Sequence, residues 1–201
     1  MTQHAEYPTT NIEDRLSDEQ REKIRAIDTL GVGAYSRAMC VLVALEIKPA
    51  TEVDVFEWNT ELSQVQSILE GAGLKVVQRE NDASSAKLAR LVVSKDQQVI
   101  DEMLLLSPTS DHRRYGELMG FTKSMIDAFE RKIERLPDEE IPKEIATQIF
   151  EPKLSREHIA EEMQLLRQWE QAVKKYAPTA YQELQGKESR RSTLRHRGKE
   201  K

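Results

Sequence analysis

The chain has 201 residues, 38% hydrophobic, 32% charged and only 5% aromatic, with a formal net charge of −5. The single cysteine, Cys40, excludes an internal disulfide or a multi-thiolate metal site, and the longest apolar run, Ala38 to Leu45, is too short to span a bilayer. Apolar residues this sparse support a compact part of about 120–150 residues with polar ends.

Residues 1–16 read as a disordered start. Met1 to Asp14 lacks the basic start and apolar centre of a secretory signal, so the cytoplasm is the expected compartment. Ser17 to Gln20 has capping-box spacing, and Ile24, Ile27 and Leu30 follow at helical spacing up to a stop at Gly31. Gly31-Val32-Gly33 echoes a phosphate loop but lacks a third glycine and a Lys-Ser/Thr pair, so it reads as a hinge. Ala34 to Ile47 is apolar and rich in Ala, Met and Leu, which favours a buried helix closed by Lys48-Pro49. Cys40 lies inside that run and reads as a packing residue.

Val53 and Val55, followed by Trp58, lie among acids and predict a short extended piece. Asn59 or Thr60 then caps a helix carrying Leu62, Val65, Ile68 and Leu69, which ends at Gly71-Ala72-Gly73. Residues 74–78 and 88–93 are the strand candidates, and the polar loop Asn81 to Ala86 between them suits an antiparallel ribbon. Two strands are marginal alone and must pack on helices. Asp96 opens a helix with Val99, Ile100, Met103 and Leu104 on one side, closed at Ser107-Pro108. Helices over about 110–119 and 123–135 follow, then an acidic break from Pro137 to Pro142 and a short helix up to Phe150. Pro152 and Ser155 open a long helix that carries Ile159, Met163, Leu166, Trp169, Val173 and Tyr176 as one apolar seam, ended or kinked at Pro178.

No internal repeat is visible. The expected class is α+β, predominantly helical, with helices packed around a small antiparallel ribbon and a long C-terminal helix. The expected division is a disordered 1–16, one globular domain over 17–150, a helical segment over 151–185 that packs on the body or dimerises, and a basic disordered tail over 186–201. Between Lys187 and Lys201 there are seven basic and two acidic residues. A basic tail on an acidic body can touch nucleic acid or an acidic partner.

His112 to Lys132 is the most informative segment. A steep crossing of two helices needs a small residue facing the second helix, a glycine in the turn and apolar residues filling the wedge. Gly116 and Gly120 supply the first two, Tyr115, Met119, Phe121, Ile126 and Phe129 supply the wedge, and Thr122 is a good N-cap. These twenty or so residues resemble the helix-turn-helix of bacterial transcription regulators. The resemblance implies that Lys123, Ser124 and Arg131, with Asp127 beside them, face the major groove, and that Arg113 and Arg114 meet phosphates. Asp127 and Glu130 would repel DNA, and the acidic body lacks the footprint of a dedicated reader. Lys48-Pro49-Ala50, Val93-Ser94-Lys95-Asp96 and Tyr115 to Phe121 also resemble stretches of small prokaryotic proteins of a domain family without an assigned activity.

No nucleophile motif or dinucleotide fingerprint is present, and no cofactor is expected. His158 and Glu162 lie one helical turn apart and could supply two metal ligands, but nothing supplies a third, so no metal is expected. His112 could serve as an acid or base beside Asp111 and Tyr115, and Ser94-Lys95-Asp96 follows a strand, where functional loops often sit. The expected function is a non-enzymatic interaction or regulatory protein, with a protein partner or self-association through the 159–176 helix and no membrane. The alternatives are a helix-turn-helix regulator using Arg113, Arg114, Lys123, Ser124 and Arg131, and a small enzyme or ligand-binding protein with its site near 94–96 and 111–115.

Overall fold

The computed structural model describes residues 15–56, 61–79, 88–107, 109–137, 140–141 and 153–186. The expectations for residues 1–14, Trp58 to Thr60, the 81–86 loop, the helix up to Phe150 and the 187–201 tail lie outside them.

The class is α+β, helices around a small antiparallel sheet. Its three strands are β1 (Ala50–Phe56), β2 (Lys75–Arg79) and β3 (Leu88–Ser94), in the order β1-β3-β2. The ribbon of β2 and β3 forms as expected. The extended piece around Val53 and Val55 becomes a full strand on the other edge of β3, with Val53 opposite Leu91. That gives β3 a neighbour on each side and a covering layer on each face. Buried this way, a strand carries a near-continuous apolar run, as Leu91, Val92 and Val93 do.

One face of the sheet, with Val53, Val55, Ala89, Leu91 and Val93, joins the main core; the other, with Ala50 and Val92, joins a smaller one. The main core is built on α2 (Ala34–Ala44), buried at every position from Arg37 onward, and on the C-terminal helix α7 (Ile159–Tyr176). The smaller core holds Ile100 and Met103 of α4 (Gln97–Leu105) and Leu118 of α5 (His112–Leu118). Helix α1 (Asp18–Ala26) starts at the expected capping box and runs into a 3-10 turn, Ile27–Thr29. Leu16 packs against the main core, so the folded part includes a residue assigned to the disordered start.

Two helix ends fall earlier than expected, for one reason. Helix α2 stops at Ala44 because Glu46 takes a left-handed conformation (φ 57°), and the Ile47 N–H turns back to the Leu42 carbonyl at 2.9 Å. Helix α6 (Lys123–Phe129) stops well short of 135 because Arg131 does the same (φ 60°), with the Lys132 N–H on the Asp127 carbonyl at 2.8 Å. Each is the six-to-one closure usually made with glycine, here without the glycine that would mark it in a sequence. Helix α3 (Leu62–Gly71) does end on a left-handed glycine, Gly73.

Helix α7 begins at Ile159, about a turn later than the expected opening at Ser155, whose N–H is held by Glu162 and whose hydroxyl accepts the His158 N–H; its seam is taken up within the chain. Met163, Leu166, Trp169, Val173 and Tyr176 are buried in the same core as Ile24, Leu42 and Leu91. Of the two alternatives for this helix, packing on the body is the one this structure shows. The helical segment 178–186 after Pro178 is also fixed: Asp28 accepts the Thr179 and Ala180 N–H groups at 2.8 and 2.9 Å, and the buried Arg37 reaches both Asp28 and Glu183. Leu154, the seam of α7, Ala177, Ala180 and Tyr181 thus share one core with α1, α2 and the sheet. No helix among the described residues is long and apolar enough to cross a membrane.

Candidate functional site

The corner formed by α5 and α6 has the expected local geometry. Thr122 caps α6 by accepting the Met125 N–H at 3.2 Å. Gly120 takes the left-handed conformation (φ 78°) that a residue with a Cβ adopts only with strain. A Cβ at Gly116 would stand 3.2 Å from Ile126 Cγ1, so Gly116 is the small residue that lets the helices approach.

The apolar residues of the corner do not fill a common wedge, because the corner packs on the body rather than on itself. Met119 and Tyr115 go to the smaller core, Phe121 lies against Trp169, and only Ile126 lies against Gly116. Phe129 turns outward, 59% exposed, with its ring edge-on to His112 at 5.9 Å between centroids.

The candidate DNA contacts divide in two. Arg113 reaches across the corner to Asp127 on α6 and to Glu130 just beyond its end. Arg114 pairs with Glu102 at 2.5 Å and Glu117 at 3.1 Å. Ser124 donates to Glu162 at 2.5 Å. Lys123 and Arg131 are exposed and make no ion pair among the described residues, but Arg131 lies beyond the end of α6 and not on its face. Glu130 gathers Arg113, Lys132 at 2.7 Å and His112 at 3.3 Å, and the hydrogen bonds from Lys132 and Arg113 hold its carboxyl below the ordinary range.

The residues of the enzyme alternative each make contacts of their own. Ser94 donates to the Pro49 carbonyl at 2.8 Å, Lys95 pairs with Glu46, and Asp96 caps α4 through the Gln98 N–H. His112 faces Glu130 and Phe129. Tyr115 points to the sheet, where its phenol is pushed up by burial and by its hydrogen bond with Glu52. There Arg79 pairs with Glu52 at 2.8 Å and holds the Met103 and Leu106 carbonyls at the end of α4, a structural assignment for both terminal guanidinium nitrogens. His158 pairs with Glu161 at 3.6 Å, while Glu162 is buried and accepts the Ser155 N–H at 2.8 Å. Among the described residues, no three His, Cys, Asp or Glu side chains are placed to hold a metal ion. Cys40 is buried, and burial pushes its thiol up to about 12, which makes it inert at neutral pH.

One residue beneath the corner carries no local sign of its setting. Lys48 is 2% exposed, and its Nζ has no hydrogen-bond partner among the described residues. The amine lies 4.1 Å from the Trp169 ring centroid and 4.5 Å from that of Phe121. Burial pulls it down to about 7. Each ring face can return about 0.5–2 kcal/mol to an ammonium, less than the several kcal/mol that removing the ion from water costs. Its two aromatic walls come from residues 73 and 121 positions away in the chain, so no local pattern could announce it.

No family model, curated protein or solved structure matches the chain. The likenesses to helix-turn-helix regulators and to small prokaryotic proteins therefore rest on the residues quoted for them.

Proposed function

We propose that the chain is a non-enzymatic interaction or regulatory protein that meets a protein partner on the outer side of the α5–α6 corner. Phe129 carries this reading. It is a large aromatic side chain standing in water at a helix end, held by His112, with the acids around it already paired. Rigid aromatic anchors of this kind dominate binding energy where they enter a partner's pocket. Arg131, exposed just beyond Phe129, favours a partner that sets an acidic group beside that pocket.

Nucleic-acid binding is the second reading. The outward-facing Lys123 and Arg131 and the basic run 187–201 favour it. Against it stand Arg113, Arg114 and Ser124, each committed to a contact within the chain.

A photo-crosslinking residue at position 129 of the full chain identifies what lies against it. The reading expects a protein whose affinity falls 10- to 100-fold with Phe129→Ala and is unchanged by Leu105→Ala, another exposed apolar site. An unchanged affinity for Phe129→Ala overturns it. So does duplex-DNA binding with a steep salt dependence that Lys123→Glu abolishes while a chain ending at Gln185 retains it.

A further inference from the structure

Lys48 joins three elements. Its backbone N–H is held by the Leu42 carbonyl at the end of α2. Its stem lies under the corner's turn, where a Cβ on Gly120 would meet Lys48 Cγ at 3.3 Å. Its amine lies between Phe121 of that turn and Trp169 of α7. No carboxylate comes within 4.0 Å of Nζ among the described residues.

We infer that Lys48 is a proton-operated latch: uncharged, it closes the Gly120-Phe121 turn onto the body, and charged, it loosens that turn. An ammonium in this place keeps the attraction of two ring faces but loses all its hydrogen bonds to water, whereas a neutral amine loses far less. The depressed proton affinity of the buried amine agrees with this geometry. No other titratable group on the surrounding elements forms an ion pair with the amine among the described residues. Cys40 on α2 is buried, and Glu46 pairs with Lys95. At the corner, Glu117 pairs with Arg114 and Lys123 is exposed. On α7, Glu162 accepts from Ser124 and Ser155, Glu170 accepts from Tyr181, and Tyr176 is a buried phenol.

The sign follows from linkage. When the turn opens, Lys48 enters water and binds a proton at its ordinary value near 10.5, while the closed form binds one only near 7. Opening is therefore disfavoured tenfold per pH unit as pH rises from 7 toward 10.5, and is independent of pH below 7.

Amide exchange of the full chain, corrected for intrinsic base catalysis, reads the opening constant at Gly120 and Phe121, whose N–H groups donate to Glu117 and Gly116. The expected result is an opening constant that falls about 50-fold from pH 7 to pH 9, and a flat profile in Lys48→Met, whose apolar side chain suits the cage. A flat wild-type profile, the same slope in Lys48→Met, or equal opening constants at the turn and at Leu91 of β3, which would make the opening global, overturns the latch. Direct titration of the Lys48 ε-carbon by NMR does not depend on the variant folding: a midpoint near 7 supports the latch and one above 9.5 overturns it.

Discussion

Gly120→Ala separates the corner's geometry from its sequence pattern. The new methyl group would enter a left-handed residue (φ 78°), which costs roughly 1–2 kcal/mol for an L-residue. It would also stand 3.0 Å from Pro49 Cδ, a ring atom that cannot rotate away, and 3.4 Å from Lys48 Cα. Relieving those contacts means moving the turn off the Lys48-Pro49 loop, an overpacking cost of about 1–3 kcal/mol. Stiffening of the unfolded chain returns about 0.4–1 kcal/mol. The expected net loss is about 2–3 kcal/mol, or about 5–10 °C in Tm for a domain of this size. Gly116→Ala is the matched control. Its methyl group would meet only Ile126 Cγ1 and Cδ1, at 3.2 and 3.3 Å, and these can turn aside. A helix interior gains about 0.5–1 kcal/mol from the same exchange, so the net change is expected within about 1 kcal/mol of zero. Urea unfolding followed by circular dichroism at 222 nm measures both. A Gly120→Ala protein within about 0.5 kcal/mol of wild type, or equal losses at the two glycines, would refute the reasoning.

Two further outcomes follow from buried groups. Burial raises the Glu162 carboxyl above its ordinary value, against the hydrogen bonds from Ser124 and Ser155 that favour its charge. The folded state therefore holds that proton more tightly than the unfolded chain. Its stabilising contribution is complete below the unfolded value of 4.5 and is lost as pH rises through the folded one. Glu162→Gln should remove that downward slope in a pH series of unfolding free energies, and an unchanged slope would place the proton elsewhere. Cys40 should resist an aromatic disulfide reagent in the native protein at pH 8 and react fully in denaturant, and rapid native labelling would contradict its burial.

The pattern of residues carried much of the fold. The capping box at Ser17, the ribbon of β2 and β3, the Asp96 and Thr122 caps and the turn at Gly120 are local devices, complete within a few residues, and each stands where the sequence puts it. The seam of α7 was legible as well, because apolar residues at steps of three and four can only be one face of a helix. What covers that face was not legible, since the same stripe suits a body or a twin.

Other features have no local signal. The ends of α2 and α6 rest on left-handed Glu46 and Arg131, held by carbonyls of the preceding turn where glycine is the usual mark. Arg113 has the composition of a phosphate contact, yet Asp127 and Glu130, fourteen and seventeen positions on, take up its charge. Phe129 shares the apolar character of Ile126 but faces water, because the corner is oriented by the sheet and α7. The sequence by itself determined most of the helices and strands among the described residues and where several of them start, because caps, turns and periodicity act over one or two turns of chain. Only the tertiary structure decided that β1 joins the sheet, that α7 folds back on its own body and that Lys48 is enclosed by Phe121 and Trp169. Those outcomes depend on which distant surfaces exclude water from one another, and residues far apart in the chain settle that together.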